Sequence, residues 1–195
     1  TGKPARLDVQ RLRARSAAIV TGVQSIIDDD PLLTVRELRH RHGALACEMN
    51  KPVFILDSHS RVPDTAKILA NPGAQLVCCH SSSRQLPIPV LQVGAGDDGR
   101  VGLRELLVVL GKRQCSEVLF ECGATLAGSL VEQGLFDELI IYMAPKLMGN
   151  DARSLLNVPE IAKMEDLLQL RIDDVRLIGQ DMRVTVVRKL SDTSE

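Results

Sequence analysis

The chain is poor in aromatic residues, with no tryptophan, one tyrosine and three phenylalanines among 195 residues. Stacking platforms for nucleic-acid bases are therefore not expected, and the core has to be built from leucine, isoleucine, valine and alanine. An excess of charge of one sign is also lacking. The formal net charge is -1, which leaves no electrostatic footprint for nucleic acid or a membrane surface. No apolar run approaches the length of a membrane span, and the opening Thr1-Gly-Lys-Pro-Ala-Arg6 does not read as a signal peptide. The five cysteines are odd in number and Cys78 adjoins Cys79. They make no disulfide framework and point to a reducing, cytoplasmic setting. An initiator methionine is missing too, which suggests a piece of something longer.

Several catalytic signatures are absent. Gly123 and Gly128 have the spacing of a P-loop, but Ser129-Leu130 follow where the phosphate-binding lysine would stand. No G-x-G-x-x-G motif follows the first strand. His40 and His42 have no cysteine or carboxylate at ligand spacing, Cys78-Cys79-His80 reads as strand packing, and no metal site is expected. Cys115 and Cys122 read as buried small residues.

What is there is one domain over residues 1–195, without linker or repeat. Leu7, Val9 and Leu12 among charged residues predict a helix over 4–15, and strands are expected at 17–21, 52–57, 75–80, 88–93, 118–120 and 137–143. Helices are expected at 65–70, 103–110 and 125–133. The stretch 26–36 has no clean period, is broken by Pro31 and reads as an ordered loop; 37–51 reads as a polar surface excursion. Alternation at 168–172 and 183–188 about a turn at 179–181 predicts an antiparallel hairpin. Together these give an α/β sandwich on a mixed sheet.

The most informative stretch is Val118 to Ser129: an apolar strand, then Glu121, then small residues that open a helix. Helix N-termini suit phosphate, and carboxyl ends of strands in open α/β sheets face ligands. An ordinary packing turn fits the residues equally well. Asp28-Asp-Asp-Pro31 is turn chemistry, or a general acid or an anchor for substrate hydroxyls or a cofactor amide, with hard-metal binding disfavoured because adjacent residues cannot all face one ion. Arg13 belongs to a solvated helix face or, with Arg36, clamps a phosphate.

Three segments in order resemble a known family: Arg11-Leu-Arg-Ala-Arg-Ser16, then Asp29-Asp-Pro-Leu-Leu-Thr-Val-Arg36, then Glu121-Cys-Gly-Ala-Thr-Leu-Ala-Gly128 running on to the Asp137–Gly149 stretch. They are similar to the C-terminal reductase domain of the bacterial bifunctional riboflavin biosynthesis protein, and the likeness covers nearly the whole chain. The resemblance implies a dihydrofolate-reductase-like fold, a three-layer α/β sandwich on a mixed, mostly parallel sheet with a C-terminal antiparallel hairpin. It also implies NADPH-dependent reduction of 5-amino-6-(5-phosphoribosylamino)uracil to its ribitylamino product.

Carried over by motif, Arg13, Leu33, Arg36 and Glu121 would contact substrate. Ser25, Asp29, Ser58 and the run Gly123, Ala124, Thr125, Leu126, Ala127, Gly128, Ser129 would contact NADPH. Asp29 and Glu121 are the catalytic candidates, Asp29 near the proton transfer and Glu121 there or holding the pyrimidine. Ser58, Arg61 and the 81–84 loop are candidates for the cofactor's 2′-phosphate. The sequence departs from the family at Asp28, where alanine is usual, and at Ala124, where proline is usual. The family also carries a strand before the position of Thr1 and, further upstream, a zinc deaminase half. The expectation is thus a reductase domain lacking both, and a homodimer. The other readings are a non-catalytic nucleotide-binding or assembly module of this fold, and a related reductase for another pyrimidine or a pterin.

Overall fold

The structure is a computed structural model and describes residues 1–36, 50–81, 84–159, 163, 165 and 167–189. His40 and His42 lie outside the described residues. The amphipathic start forms α1 (Lys3–Arg15), with Pro4 in its first turn, where a missing N–H costs nothing. The apolar runs form β1 (Ala18–Gly22), β2 (Val53–Leu56), β3 (Ala74–Cys78), β4 (Val90–Gln92) and β5 (Val118–Phe120). These pair in parallel, in the order β4-β3-β2-β1-β5.

Alternation along each strand divides the core in two. Ile19, Val53, Ile55 and Leu76 point to one face, where Val23 and Ile26 of α2 (Val23–Asp29) and Ile68 of a 3-10 turn (Lys67–Ala70) cover them. Val20, Phe54, Leu56 and Val77 point to the other. There they meet Leu103, Leu106 and Leu110 of α3 (Leu103–Lys112) and Leu130 of α4 (Ala124–Glu132). Each such side chain contributes about 1.5–3 kcal/mol on burial. The parallel sheet and its helices thus make three layers.

Two expectations change here. The 26–36 stretch is helical as far as Asp29. Only Val23 and Ile26 of α2 are buried, and Asp30 ends the helix in the left-handed region (φ 42) just before Pro31. The expected 65–70 helix is only the four-residue 3-10 turn, confined between Pro63 and Pro72.

The remaining strands, β6 (Glu138–Met143), β7 (Leu170–Ile178) and β8 (Asp181–Arg188), form an antiparallel sheet of order β6-β8-β7. The expected hairpin is β7–β8. Among the described residues no ladder joins this sheet to the parallel one, so the expected mixed sheet is two hydrogen-bonded units. A bulge between Ile172 and Asp174 resets the alternation of β7. Ile172, Val175 and Leu177 thereby share one face with Val186, Val184 and Met182 of β8 and with Leu139, Ile141 and Met143 of β6.

α1 is bonded to both sheets. The Gly2 N–H donates to the Asp181 carboxylate at 2.6 Å, and Arg15 Nε donates to Glu117 Oε1 at 2.7 Å. Midway along the helix, Asp8 Oδ2 accepts from the Tyr142 hydroxyl (2.7 Å) and from Arg183 Nη1 (3.1 Å). Burial, then the bond to Asp8 and its charge, hold the Tyr142 phenol above its ordinary pKa.

Candidate active site

The carboxyl ends of β1, β2 and β5 open into one cleft of about 1680 Å³. A single-ligand pocket usually measures roughly 300–1,000 Å³, so this one has room for two molecules. Its floor is Thr21 and Gly22 at the end of β1, Leu56 and Ser58 at the end of β2, and Glu121 and Cys122 after β5.

One wall is the start of α4. Gly123 is its N-cap, and no side chain caps the helix, so the N–H groups of the first turn lack partners within it. Gly123 has φ -79 and ψ 174, extended backbone open to any residue. What the missing Cβ provides is space, since a Cβ there would have only Ser25 Oγ nearby, at 3.9 Å.

The facing wall is α2 and the segment after it. Ser25, Asp28, Asp29 and Leu33 line it. Leu33 is buried and has φ 52, a left-handed conformation that is unfavourable for a leucine and clusters at functional sites. Asp29 is exposed in the cleft and its carboxylate makes no hydrogen bond among the described residues. Asp28 accepts from Gln24 Nε2 and Arg153 Nη1, and these bonds, Gln24 first, hold its carboxyl below the usual value.

A strap formed by residues 149–158 closes one end, a feature that sequence reasoning missed. Arg153, Ser154, Leu155 and Asn157 line the cleft. The strap is tied to α4 by the Asn157 N–H donating to the Ala124 carbonyl (3.0 Å) and by Asn157 Nδ2 donating to Thr125 Oγ1 (3.0 Å). No periodicity marks it in the sequence. Arg100 and Arg104, also missed, line the far end with Arg61, near Ser58, whose hydroxyl accepts the Val101 N–H at 3.0 Å.

The motif residues do not all meet. Ser25, Asp29, Leu33, Ser58, Glu121, Gly123, Ala124, Thr125, Leu126 and Ser129 line the cleft. Arg13, Arg36, Ala127 and Gly128 do not. Arg13 is buried against Glu121, and the Arg36 N–H donates to Gln10 Oε1. Gly128 serves the strap, because a Cβ there would lie 2.0 Å from the Asn157 carbonyl oxygen. Arg84 turns away to Asp64 and the Ser60 carbonyl, so among the described residues Arg61, Arg100 and Arg104 are the cations at that end; Ser82 and Ser83 lie outside them. Cys122 lines the cleft, whereas Cys115 is only half-buried away from it. Burial and then the Glu121 charge push the Cys122 thiol up to about 12. It stays protonated near neutrality and is no nucleophile.

Among the described residues no group of three His, Cys, Asp or Glu could hold a metal ion, and no helix is long and apolar enough to cross a membrane.

Comparison with known proteins gives a consistent answer. The sequence model of the RibD C-terminal domain matches residues 1–184. The riboflavin biosynthesis protein RibD of Escherichia coli K12 is 39% identical over 194 residues, covering 96% of this chain and 53% of that protein. The 5-amino-6-(5-phosphoribosylamino)uracil reductase of Buchnera aphidicola from Acyrthosiphon pisum is 35% identical over 196 residues, covering 97% of this chain and 95% of that protein. Among solved structures, Acinetobacter baumannii RibD superposes with a TM-score of 0.82 at 35% identity, over 97% of this chain and 51% of that one. The chain therefore spans about half the length of the RibD relatives it matches. Its fold is of the dihydrofolate-reductase-like α/β class that the motifs imply.

Proposed function

This chain belongs to the RibD C-terminal domain family, and from that premise we propose that it reduces 5-amino-6-(5-phosphoribosylamino)uracil to the ribitylamino product with NADPH, in the cytoplasm, for riboflavin synthesis. The observation that carries the reading is one cleft with an uncapped helix start beside a glycine on one wall and Asp29 and Leu33 on the other. The residues fit the cofactor. A diphosphate finds the N–H groups of α4 and the space over Gly123, and Arg61, Arg100 and Arg104 suit a 2′-phosphate beside Ser58.

When bound, NADPH supplies the hydride. The chain's part is alignment and proton supply. Leu33 presses apolar surface on the reacting ends and excludes water, and α4 fixes the diphosphate. Our reading gives Asp29, exposed in the cleft, the supply of the proton that the nitrogen of the ring-opened sugar imine takes up as its carbon is reduced.

The test is NADPH oxidation with the aminopyrimidine substrate. Gly123→Val keeps an allowed backbone but fills the seat, so the KM for NADPH rises about tenfold or more with little change in unfolding. Asp29→Asn lowers kcat. Wild-type binding without turnover would favour the non-catalytic module, and turnover only with a pterin would favour the related reductase. Unchanged kinetics in Gly123→Val would remove the cofactor seat from α4, and equal efficiency with NADH would remove the 2′-phosphate contacts.

Three wider features belong to the same proposal. A deaminase half is fused to this domain in the intact protein, as the length of the RibD relatives supports. β5 ends the parallel sheet, and its residues are only half-buried, which supports a further strand beside it. A second copy packs on the apolar face of the antiparallel sheet, where Ile172, Val175, Leu177 and Met143 are exposed. Val175→Lys with Leu177→Lys should then give a folded monomer by sedimentation. A variant that keeps the wild-type mass would place the interface elsewhere.

A further inference from the structure

The strap of residues 149–158 has two fastenings, and they are unequal. At α4 it is held by backbone and side chain together, through the Asn157 N–H on the Ala124 carbonyl and Asn157 Nδ2 on Thr125 Oγ1. Gly128 lets the two backbones meet there, since a Cβ would lie 2.0 Å from the Asn157 carbonyl oxygen. At α2 the fastening is a single ion pair, Arg153 Nη1 donating to Asp28 Oδ2. The arginine side chain is 83% exposed and the carboxylate side chain 22%. Burial adds little, for within residues 151–159 only Leu156 is partly buried. A segment held in this way opens at low free energy, and an exposed ion pair is its weakest tie.

We propose that the Arg153–Asp28 pair is a releasable latch: the strap turns about Asn157, and the pair, by tying its other end to α2, retains the dinucleotide seated on α4. The inference rests on the cofactor seat proposed above. Asp28 is set for the contact. It stands one helical turn beyond Ser25, the residue across from Gly123, and Gln24 Nε2 steadies its other oxygen, Oδ1, at 2.9 Å from within α2. A ligand on the start of α4 lies between the two helices that the strap bridges, so it leaves at that end only when the pair parts. Parting uncovers no core, because Leu155 and Val158 are exposed already. The closed pair has no net charge, so it does not repel the diphosphate.

The test is the rate at which NADPH leaves the full chain, followed by its fluorescence as excess NADP+ displaces it. Asp28→Ala and Arg153→Ala should each raise that rate about two- to fivefold, the scale of an exposed ion pair. The double variant should be no faster than either single one, because each change removes the same contact. The difference from wild type should shrink in about 1 M KCl, where charges are screened beyond roughly 3 Å. Urea midpoints should stay at the wild-type value, since the pair is exposed.

If Asp28→Ala slows release while Arg153→Ala speeds it, Arg153 holds a phosphate directly, Asp28 competes for it, and the latch is wrong. Rates that multiply in the double variant, or a difference that persists in high salt, also overturn it. So does faster release that comes with a lowered urea midpoint, which would make the pair a tie of the fold. Should an alanine variant not fold, Asp28→Asn and Arg153→Gln are read in the same way. A wild-type chain that binds no NADPH would remove the cofactor seat and the latch with it, whereas binding with the same release rate in every variant removes the latch alone.

Discussion

Asp8→Ala is expected to lower the free energy of unfolding by about 3–5 kcal/mol, the usual cost of removing one partner from a buried ion pair. Asp8 is 8% exposed and Arg183 has a side-chain exposure of 12%. The single oxygen Asp8 Oδ2 serves both Arg183 and Tyr142. Among the described residues Arg183 Nε has no partner of its own, so the guanidinium depends on this carboxylate. With alanine, a cation and a phenol would be left beneath α1 with nothing to accept their protons. For a chain of this size the melting temperature should drop by roughly 2–4 °C per kcal/mol.

Alkaline titration gives an independent check. The Tyr142 phenol is raised above its ordinary value of 10.0. Its contribution is therefore complete below pH 10 and is lost as pH rises through the folded pKa. Tyr142→Phe should flatten that alkaline decline, and it should keep most of the packing. An Asp8→Ala chain as stable as wild type in denaturant would show that the network contributes nothing.

The second large effect is expected from Gly128→Ala, normally a mild change in a helix. Here the new methyl would lie 2.0 Å from the Asn157 carbonyl oxygen and 2.7 Å from its carbonyl carbon. Both are backbone atoms, so no rotamer change relieves the clash, and the strap must lift. The overpacking should cost about 1–3 kcal/mol. Lifting also breaks the Asn157 bonds to Ala124 and Thr125, and with them one wall of the cleft. Trypsin cleavage after Arg153, whose side chain is 83% exposed, should accelerate. Unchanged cleavage and an unchanged denaturation midpoint would rule out the close approach. Gly123→Val makes the contrast: a larger side chain at a more open glycine should disturb the ligand and spare the fold.

The strands were legible because burial on one or both faces leaves a pattern of period two or an unbroken apolar run. Val118–Phe120 and the β7–β8 hairpin stand where those patterns put them. α2 was hidden because seven residues with two inward apolar positions leave too little period, and Asp28-Asp-Asp-Pro31 reads as turn chemistry. Which sheet a strand joins is a property of pairing, and pairing has no sequence period, so the division into two sheets was not legible. In the site, short motifs found Glu121, Gly123 and Asp29, because local backbone geometry places them. The Arg13–Glu121 pair was not legible because its members are 108 residues apart and a charged residue on a helix face looks solvated. The Arg153–Asp28 contact, 125 residues apart, was invisible for the same reason.

The attachment of α1 to both sheets also bears on motion. Its N-cap, Gly2, is held by Asp181 at the β7–β8 turn, its middle by the bonds that Asp8 accepts from Tyr142 and Arg183 of the antiparallel sheet, and its last turn by the two bonds from Arg13 to Glu121. A fluctuation that releases this helix must break all three, so the helix, the hairpin and the floor of the cleft open as one cooperative unit. Amide hydrogens in α1 should then exchange at the same opening free energy as those at Glu121 and β8. A ligand held by that carboxylate would slow exchange along a helix it never touches.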